Sequence, residues 1–480
     1  MTELLDLAER VAGWSRDGEQ VEAYVARTQD TDVRVYDGDV ESLSSAQTEG
    51  VGVRVIAGQR QGFAYAGSLD EQSLRDALDD ARDNAGFGTV DEFLGLPDPD
   101  GVAAAELDLF REELAAYPTD RKVELALELD RAVRAADPRI RGVETAEYGD
   151  ASIEAAIASS RGVSAYARRT TCSLYAYAIA GEGSETQTGY GWSIGRAPDD
   201  LDVSRAATMA GERATRLLGA TKPASRRVTA VLDPMVTSSF LGVLSGALSG
   251  ESVLKGRSMF AGREGEQVAV AGLTLTDDPT NPEARGASRY DAEGLATRRN
   301  VLIENGMLQG FVQNTYTARR SGAASTGSAV RGGFKTTPGV GTRALALVPG
   351  ERTQQELLSE IGDGLLVLSV QGLHSGANPV SGDFSVGCEG LIVRDGVAAE
   401  PVREATIAST LQRMLHDVAG VGSDLEWLPG GAAGLSLVIR RHPQRRLTRP
   451  SRAAGPMGWA HGRNRYPGAL CPRQPTPILT

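Results

Sequence analysis

The sequence predicts an α+β protein. It has an N-terminal α/β region with antiparallel sheets and a C-terminal, mostly antiparallel β barrel-like domain with one buried helix. Three observations predict this class. Short segments alternate between polar and apolar residues, as strands with one buried face do. Several amphipathic stretches begin at a helix-capping residue. The 57 glycines and the low aromatic content of 5% indicate many tight turns, which suit a chain rich in strands.

The first predicted unit is a compact helix–sheet–helix arrangement. Thr2 can cap a first helix, and Ser68 and Glu71 have the spacing of a capping box before a helix that runs to about Asn84. Asp37-Gly38 is a hairpin turn signal between strands. The predicted strands of this unit are 21–27, 31–36, 50–56 and 61–65.

A second unit repeats the same mixture. A helix capped by Thr119 or Asp120 is predicted to run to Ala136, and another amphipathic helix spans 202–218. Between them we predict a meander of four short strands. These strands are 143–148, 151–158, 163–167 and 171–180, with turns at Gly149-Asp150, 160–162 and 168–170.

From Val228 to about Val438 the sequence predicts strands and glycine turns, apart from helices at 234–256 and near 354–361. Asn305-Gly306 and Asp395-Gly396 are hairpin signals of an antiparallel domain. Polar or Gly/Pro/Asp-rich stretches at 87–118 and 221–226 indicate boundaries. The predicted domains are 1–100, 118–222 and 227–438, followed by a disordered basic tail at 439–480.

Charge and cysteine content exclude several classes of protein. The net charge is −13, and the nine arginines from Ile439 onward leave −22 on residues 1–438. Such an acidic body argues against direct nucleic-acid binding. Three cysteines without metal or disulfide spacing, and an N-terminus without a secretion signal, favour a cytoplasmic protein that does not enter a membrane.

The helix that starts at Asp233-Pro234 is unusual because no residue from Pro234 to Gly250 is charged. An exposed helix would carry polar residues on its outer face, so we predict that this one is buried. Its Ser and Gly residues indicate close packing against a cavity or a second subunit. It offers no His, Glu or Asp before Glu251, and therefore no metal ligand.

Other chemical motifs in the chain are weak. His374 and Cys388 could join a carboxylate in a metal site, although a buried structural cysteine is the simpler interpretation. Ser252 and Lys255 match S-x-x-K, the pattern of an amine-activated serine hydrolase, but no further motif of that class accompanies them. The Gly-rich stretch 322–333 lacks the ending of a phosphate-binding loop and could instead contact a peptide or a partner chain.

Several long blocks carry a family resemblance. GVGVRVIAGQRQGFAYAGSLD (50–70), RRNVLIENGMLQGFVQNTYTARRSGAASTG (298–327), SGDFSVGCEGLIVRDG (381–396) and VGSDLEWLPGGAAG (421–434) resemble the TldD/PmbA family, also called modulators of DNA gyrase. The resemblance implies a two-subunit zinc metallopeptidase that acts on unfolded or short peptides. One subunit type carries His-Glu-x-x-x-His on the buried helix and a cysteine near the C-terminal end.

The resemblance places the zinc motif at Leu241, Gly242 and Gly246, where this chain has no ligand, and Leu428 lies near the place of the cysteine. It implies a PmbA/TldE-type subunit without a cofactor of its own. The expected partner is a metal-bearing TldD-like subunit in a heterodimer, with a homodimer as an alternative. The loop residues expected around the peptide chamber are Ser325, Thr326, Gly327, Ser381 and Asp383.

Two other functions stay open on the sequence. One is a non-enzymatic binding module that modulates DNA gyrase or a toxin–antitoxin partner. The other is an autonomous serine hydrolase that uses Ser252 and Lys255. Zinc content, co-purification with a metal-bearing paralogue and labelling by a fluorophosphonate probe would distinguish these alternatives.

Overall fold

The structure is a computed structural model that describes residues 2–440. Its N-terminal half is one six-stranded antiparallel sheet in the order β3-β2-β1-β4-β5-β6. The strands are β1 (Glu19–Tyr36), β2 (Asp39–Ala57), β3 (Arg60–Ala66), β4 (Ile140–Ser159), β5 (Ser164–Ala180) and β6 (Gln187–Gly195). The helices of this half are α1 (Glu3–Gly13), α2 (Glu71–Phe87), α3 (Glu112–Ala115), α4 (Thr119–Ala136) and α5 (Val203–Thr215).

The sheet is built from two similar halves. Each half runs helix, three antiparallel strands, helix: α1-β1-β2-β3-α2 and α4-β4-β5-β6-α5. The two halves join where β1 pairs with β4, from Glu22 opposite Ser159 to Val35 opposite Ala146. The two predicted units, 1–100 and 118–222, therefore contribute three strands each to one continuous sheet.

The strands are longer than the sequence predicts. Gly149-Asp150 and 168–170 were expected to be turns, but both lie inside the continuous strands β4 and β5. Asp150 does not end the strand because Lys122 of α4 reaches over it, with 2.6 Å between Nζ and Oδ2. A buried carboxylate that has such a partner remains compatible with a strand interior.

Local chemistry explains the turns and caps that are present. Asp37 and Gly38 both have positive φ, 50° and 83°, as a two-residue type I′ hairpin requires. The cap of α2 is Asp70, whose side chain accepts from Ser73 N at 2.9 Å. The predicted Ser68 cap is therefore wrong; its hydroxyl donates to Asp70 instead.

The C-terminal half contains a six-stranded and a four-stranded sheet. Their orders are β16-β15-β14-β7-β20-β17 and β10-β9-β8-β13, and only the β14–β7 pair within them is parallel. The strands of three or more residues are β7 (Ala230–Leu232), β8 (Leu275–Asp277), β9 (Asn300–Glu304), β13 (Leu345–Leu347), β14 (Gly364–Gln371), β15 (Asp383–Arg394), β16 (Val397–Thr410), β17 (Val418–Val421) and β20 (Leu437–Ile439). The two-residue strands are β10 (Met307–Leu308), β11 (Ala329–Val330), β12 (Gly339–Val340), β18 (Glu426–Trp427) and β19 (Ala433–Gly434).

The α+β class is confirmed, but the barrel-like description is too strong. Both C-terminal sheets are open, and no closed barrel occurs within residues 2–440. The helices of this half are α6 (Pro234–Ala247), α7 (Gly250–Leu254), α8 (Thr315–Ser321), α9 (Gln354–Ile361), α10 (Leu373–Gly376) and α11 (Leu411–Asp417). None of the helices that the structure describes is long and apolar enough to cross a membrane.

Helix α6 lies between the two C-terminal sheets. Its buried residues share one hydrophobic cluster with Leu275 and Ile303 of the four-stranded sheet and with Val367 and Val386 of the six-stranded sheet. The N-terminal sheet packs its own helices on one face, while its other face meets C-terminal loops. Gly52 permits that approach, because a Cβ there would lie 2.2 Å from the carbonyl oxygen of Phe334. Of the predicted tail, 441–480 lies outside the described residues.

Candidate functional site

Helix α6 begins with a conventional cap and has two contrasting faces. Asp233 accepts a hydrogen bond from Met235 N at 3.2 Å, and Pro234 occupies the first turn. The buried face carries Val236, Thr237, Phe240, Leu241, Leu244 and Ala247. Met235, Ser239, Gly242 and Gly246 form the opposite stripe, in which both glycines are exposed and the other two residues half-buried. The predicted buried helix is present as α6, which buries one face in the core, but the predicted extent of 234–256 is wrong, because α6 ends at Ala247 and a separate helix, α7, begins at Gly250.

The three positions of the implied zinc motif do not share a face. The Leu241 side chain is 1% exposed and belongs to the core cluster. Gly242 and Gly246 lie on the accessible stripe, and no atom stands within 4 Å of a Cβ built on either. Hydrocarbon and hydrogen supply no lone pair, so these residues do not fit a zinc ion. Between residues 2 and 440, no cluster of three His, Cys, Asp or Glu side chains could hold a metal.

The segment around Leu428 does lie against α6. The Ser238 hydroxyl donates to Ala432 O at 2.8 Å. A Cβ on Gly434 would lie 2.1 Å from Pro234 O and 2.7 Å from a methyl carbon of Leu428. Leu428 itself is 2% exposed. The segment that contains Leu428 therefore packs against the first half of α6, the helix on which the resemblance places the zinc motif.

Ser325, Thr326 and Gly327 form a hydrogen-bonded turn rather than a free loop. Thr326 Oγ1 accepts from Gln313 N at 2.7 Å, and Thr326 N donates to Gln313 O at 3.2 Å. Gln313 in turn lies against Gly250, where a Cβ would meet its side chain at 2.0 Å. The turn therefore stands next to the junction of α6 and α7. Its role at a chamber stays a prediction.

Ser381 and Asp383 lie at the start of β15. The Ser381 hydroxyl donates to Asp383 Oδ2 at 2.7 Å, and both residues are exposed. The neighbouring Phe384 packs edge-on against Phe240 of α6, with ring centroids 6.3 Å apart. Because Phe240 is on the buried face, this turn approaches α6 from the side opposite the glycine stripe. Its chamber role also stays a prediction.

The weaker motifs gain no support. His374 is exposed on α10, whereas Cys388 is 3% exposed inside β15. Burial, with some help from Glu389, raises the pKa of the Cys388 thiol to about 11. The ammonium group of Lys255 pairs with Glu251 at the surface, so it is not a desolvated amine of the kind that activates a serine.

The structure shows a buried charged cluster that the sequence analysis missed. Glu22 Oε2 accepts from Arg54 at 2.5 Å, and its Oε1 accepts from Arg331 at 2.6 Å. Arg54 also reaches Glu293 at 3.5 Å. Burial alone would raise the pKa of Glu22, but the two guanidinium groups together hold it below its ordinary value. The cluster joins the N-terminal sheet to the C-terminal loops.

Asp291 lies beside this cluster in a different environment. Its carboxylate accepts from the backbone N–H groups of Glu293, Leu295 and Ala329 at 2.9 to 3.1 Å. Burial, reinforced by the charge of Glu293, raises the pKa of Asp291 to about 7. The sequence contains one sign of the charged cluster, in the alternation of side chains along β1. Glu22 stands between the apolar residues Val21 and Ala23, and its side chain therefore faces away from the helices.

Three domains of one family match the chain in order. Domain 1 of the PmbA/TldA metallopeptidases matches residues 21–85, the central domain 112–218 and the C-terminal domain 225–451. The chain therefore belongs to the PmbA/TldD family of metallopeptidases.

Individual relatives agree with this assignment over almost their whole length. The metalloprotease PmbA of Escherichia coli O157:H7 is 28% identical over 89% of this chain and 92% of its own. A candidate modulator of DNA gyrase from Bacteroides thetaiotaomicron is similar in structure, with a TM-score of 0.83, 26% identity and coverage of 92% and 98%. TldE of Thermococcus kodakarensis has the same fold, with a TM-score of 0.81, 24% identity and coverage of 88% and 95%.

Proposed function

We propose that this chain is the subunit of a TldD/TldE-type zinc metallopeptidase complex that does not itself bind zinc. The observation that carries the proposal is the chemistry of α6. Leu241, Gly242 and Gly246 stand where the resemblance places the metal motif, and none has a side-chain atom that could bind a metal. Leu428, near the place of the expected cysteine, is a buried hydrocarbon side chain.

The accessible stripe of α6 supports a role beside a second subunit. Met235, Ser239, Gly242 and Gly246 carry no charge, and two of them have no side chain beyond hydrogen. Glycine allows another backbone to approach closely. An uncharged, small-residue helix face is an unusual solvent surface, so we infer that the metal-bearing partner covers it, in a heterodimer rather than a homodimer.

In this complex the chain would complete the peptide chamber. Strand β16 is an outer strand of the six-stranded sheet, paired with β15 on one side and carrying a single bridge from Thr221 at Val402 on the other. An outer strand can hold an extended peptide through main-chain hydrogen bonds. We propose that this chain positions the peptide and stabilises the catalytic subunit, and that it does so in the cytoplasm.

Co-expression with a paralogue that carries His-Glu-x-x-x-His tests the proposal. Zinc content and peptide hydrolysis are measured for this chain alone, the paralogue alone and the two together. The proposal predicts a stable complex of the two chains, in which the paralogue and not this chain binds the zinc ion. Hydrolysis should be greatest with both chains present. A chain that never associates with the paralogue, but is captured by DNA gyrase or a toxin–antitoxin protein, would favour the binding-module alternative instead.

A further inference from the structure

A cavity of about 160 Å³ lies between the N-terminal sheet and the C-terminal loop 287–292. The sheet contributes Tyr24 of β1 and small residues of β4 and β5, among them Ala155 and Ala167. One ordered water needs on the order of 10–15 Å³ by this measure, so the cavity has room for several waters or one small chemical group. It is separate from the glycine stripe of α6.

Arginine dominates the polar lining of this cavity. Five arginines line it, and Asp291 is the single carboxylate among the lining residues. The arginines are Arg168, Arg169, Arg289, Arg331 and Arg343. Two of them are directed to partners of their own. Arg168 pairs with Glu112 at 2.9 Å, and Arg289 donates to Ala105 O at 3.2 Å.

The other three arginines have unused donors. The Arg331 side chain is 2% exposed; its Nη2 donates to Glu22 and to Ala292 O, but its buried Nε has no partner among the described residues. Arg343 donates from Nη2 to Ala329 O at 3.1 Å, and its buried Nε also lacks a partner there. The half-buried Arg169 side chain makes no hydrogen bond or ion pair within residues 2–440.

These donors are costly unless an acceptor meets them. A buried N–H without a partner loses the hydrogen bonds it would make to water. Burial, with a further contribution from the nearby Arg169, lowers the pKa of Arg343. The charge of Asp291 acts in the opposite direction on Arg343, but it offsets the positive charge only in part, because a pKa of about 7 leaves Asp291 partly neutral near neutral pH.

We propose that this cavity is a binding site for a single small oxyanion, the carboxylate or phosphate group of a ligand, held by Arg169, Arg331 and Arg343. Planar guanidinium groups match the oxygen atoms of both anions and form charge-assisted hydrogen bonds to them. Tyr24, whose ring lies 4.5 Å from the guanidinium carbon of Arg331, keeps that arginine in place. The alanines of β4 and β5 leave room for a compact group attached to the anion.

Isothermal titration calorimetry of the full chain tests this site. The probes are inorganic phosphate and the tripeptide Ala-Ala-Ala, the latter as the free acid and as the C-terminal amide. We expect binding of phosphate, of the free acid or of both, and no binding of the amide. Binding confined to phosphate would identify a phosphate ligand, and binding confined to the free acid a carboxylate; either result supports the site.

The variant pair Arg169→Ala and Arg161→Ala provides the control. Arg161 is an exposed arginine of the β4–β5 turn that pairs with Asp98 at 2.6 Å and does not line the cavity. Loss of Arg169 should weaken anion binding about tenfold or more, whereas loss of Arg161 should leave it unchanged. Circular dichroism confirms that both variants are folded. Absence of binding by every probe, equal binding of acid and amide, or an unaffected Arg169→Ala variant would overturn the proposal.

Discussion

Glu22 lies between two arginines in a nearly water-free environment. Its side chain is 2% exposed, and those of Arg54 and Arg331 are 7% and 2% exposed. Buried ions of this kind depend on their partners, because water is not available to replace them. This residue therefore holds two regions of the chain together that are about 300 positions apart in sequence.

Replacing Glu22 with Gln should be strongly destabilising, since it leaves the buried Arg331 without a carboxylate partner and Arg54 with only Glu293, at 3.5 Å. We expect a loss of about 3–5 kcal/mol in the free energy of unfolding, measured by urea denaturation. The matched control is Glu49→Gln, which breaks the Arg27–Glu49 pair, where both side chains are about one third exposed. That change should cost less than about 1 kcal/mol. Equal losses in the two variants would contradict the assigned role of Glu22.

Asp291 gives stability a pH dependence of a definite sign. Its ordinary pKa is 3.8, and burial raises the folded-state pKa to about 7. Between these values the folded chain keeps a proton that the unfolded chain releases. The contribution of Asp291 to stability therefore falls as the pH rises from about 4 to about 7.

Comparison of the wild type with Asp291→Asn isolates this effect. The Tm of the wild type relative to the variant should be higher at pH 5 than at pH 8, because only the wild type must ionise a buried group in that interval. Asp120→Asn, at an exposed position in the first turn of α4, serves as the control and should show little change. A wild-type–variant difference that is the same at both pH values would count against the raised pKa.

At the scale of elements, the accessible stripe of α6 is the face that we propose to contact a second subunit. Gly242→Ala and Gly246→Ala add a methyl group with no atom within 4 Å of it. Each should raise the stability of the isolated chain by about 0.5–1 kcal/mol, because glycine is unfavourable inside a helix. If a partner covers this face, the same changes should weaken association, and Gly242→Trp should abolish it.

Gly250→Ala is the matched contrast for that experiment. Its new Cβ would lie 2.0 Å from Gln313 Oε1, so it should lower the stability of the isolated chain instead. Thermal unfolding and analytical ultracentrifugation with the paralogue separate the two effects. Unchanged association in Gly242→Trp would exclude this face as the subunit contact.

Local sequence chemistry predicted several elements well. The hairpin at Asp37-Gly38 and the positions of α4 and α9 agree with the prediction, but the predicted cap of α4 at Thr119 or Asp120 is wrong, because Pro118 precedes the helix and no side chain caps it.

The strand β4 was divided wrongly because Gly149-Asp150 has the composition of a turn, and β5 was divided wrongly at the polar stretch 168–170. Asp150 is compatible with a strand because its carboxylate pairs with Lys122 and accepts a hydrogen bond from Tyr148. Short-range rules do not include a partner such as Lys122, which comes from a helix 28 residues away.

At the scale of the whole molecule, the sequence allowed a prediction of where the metal motif would fall, whereas it did not allow a prediction of the charged cluster or of the arginine-lined cavity. The motif is local to one helix, so counting along the chain locates it. The cavity combines Tyr24, Arg169, Asp291 and Arg343, which only the folding of the C-terminal loops onto the sheet brings together. Long-range pairs of this kind have no spacing that a motif could describe.

The proposal that this chain is the metal-free subunit concerns the whole complex. It requires that this chain have the fold of the family, and that zinc binding and peptide hydrolysis belong to the partner subunit. The full-length match to metallopeptidase domains fulfils the first condition. The second condition depends on Leu241, whose side chain is a buried hydrocarbon, and on Gly242 and Gly246, which have no side chain beyond hydrogen.

The most direct test is the zinc content of the purified full-length chain after incubation with zinc and dialysis against metal-free buffer, with peptide hydrolysis measured on the same sample. We predict far less than one zinc ion per chain and no hydrolysis without the paralogue. One tightly bound zinc ion per chain, together with peptide turnover by the isolated protein, would contradict the assignment.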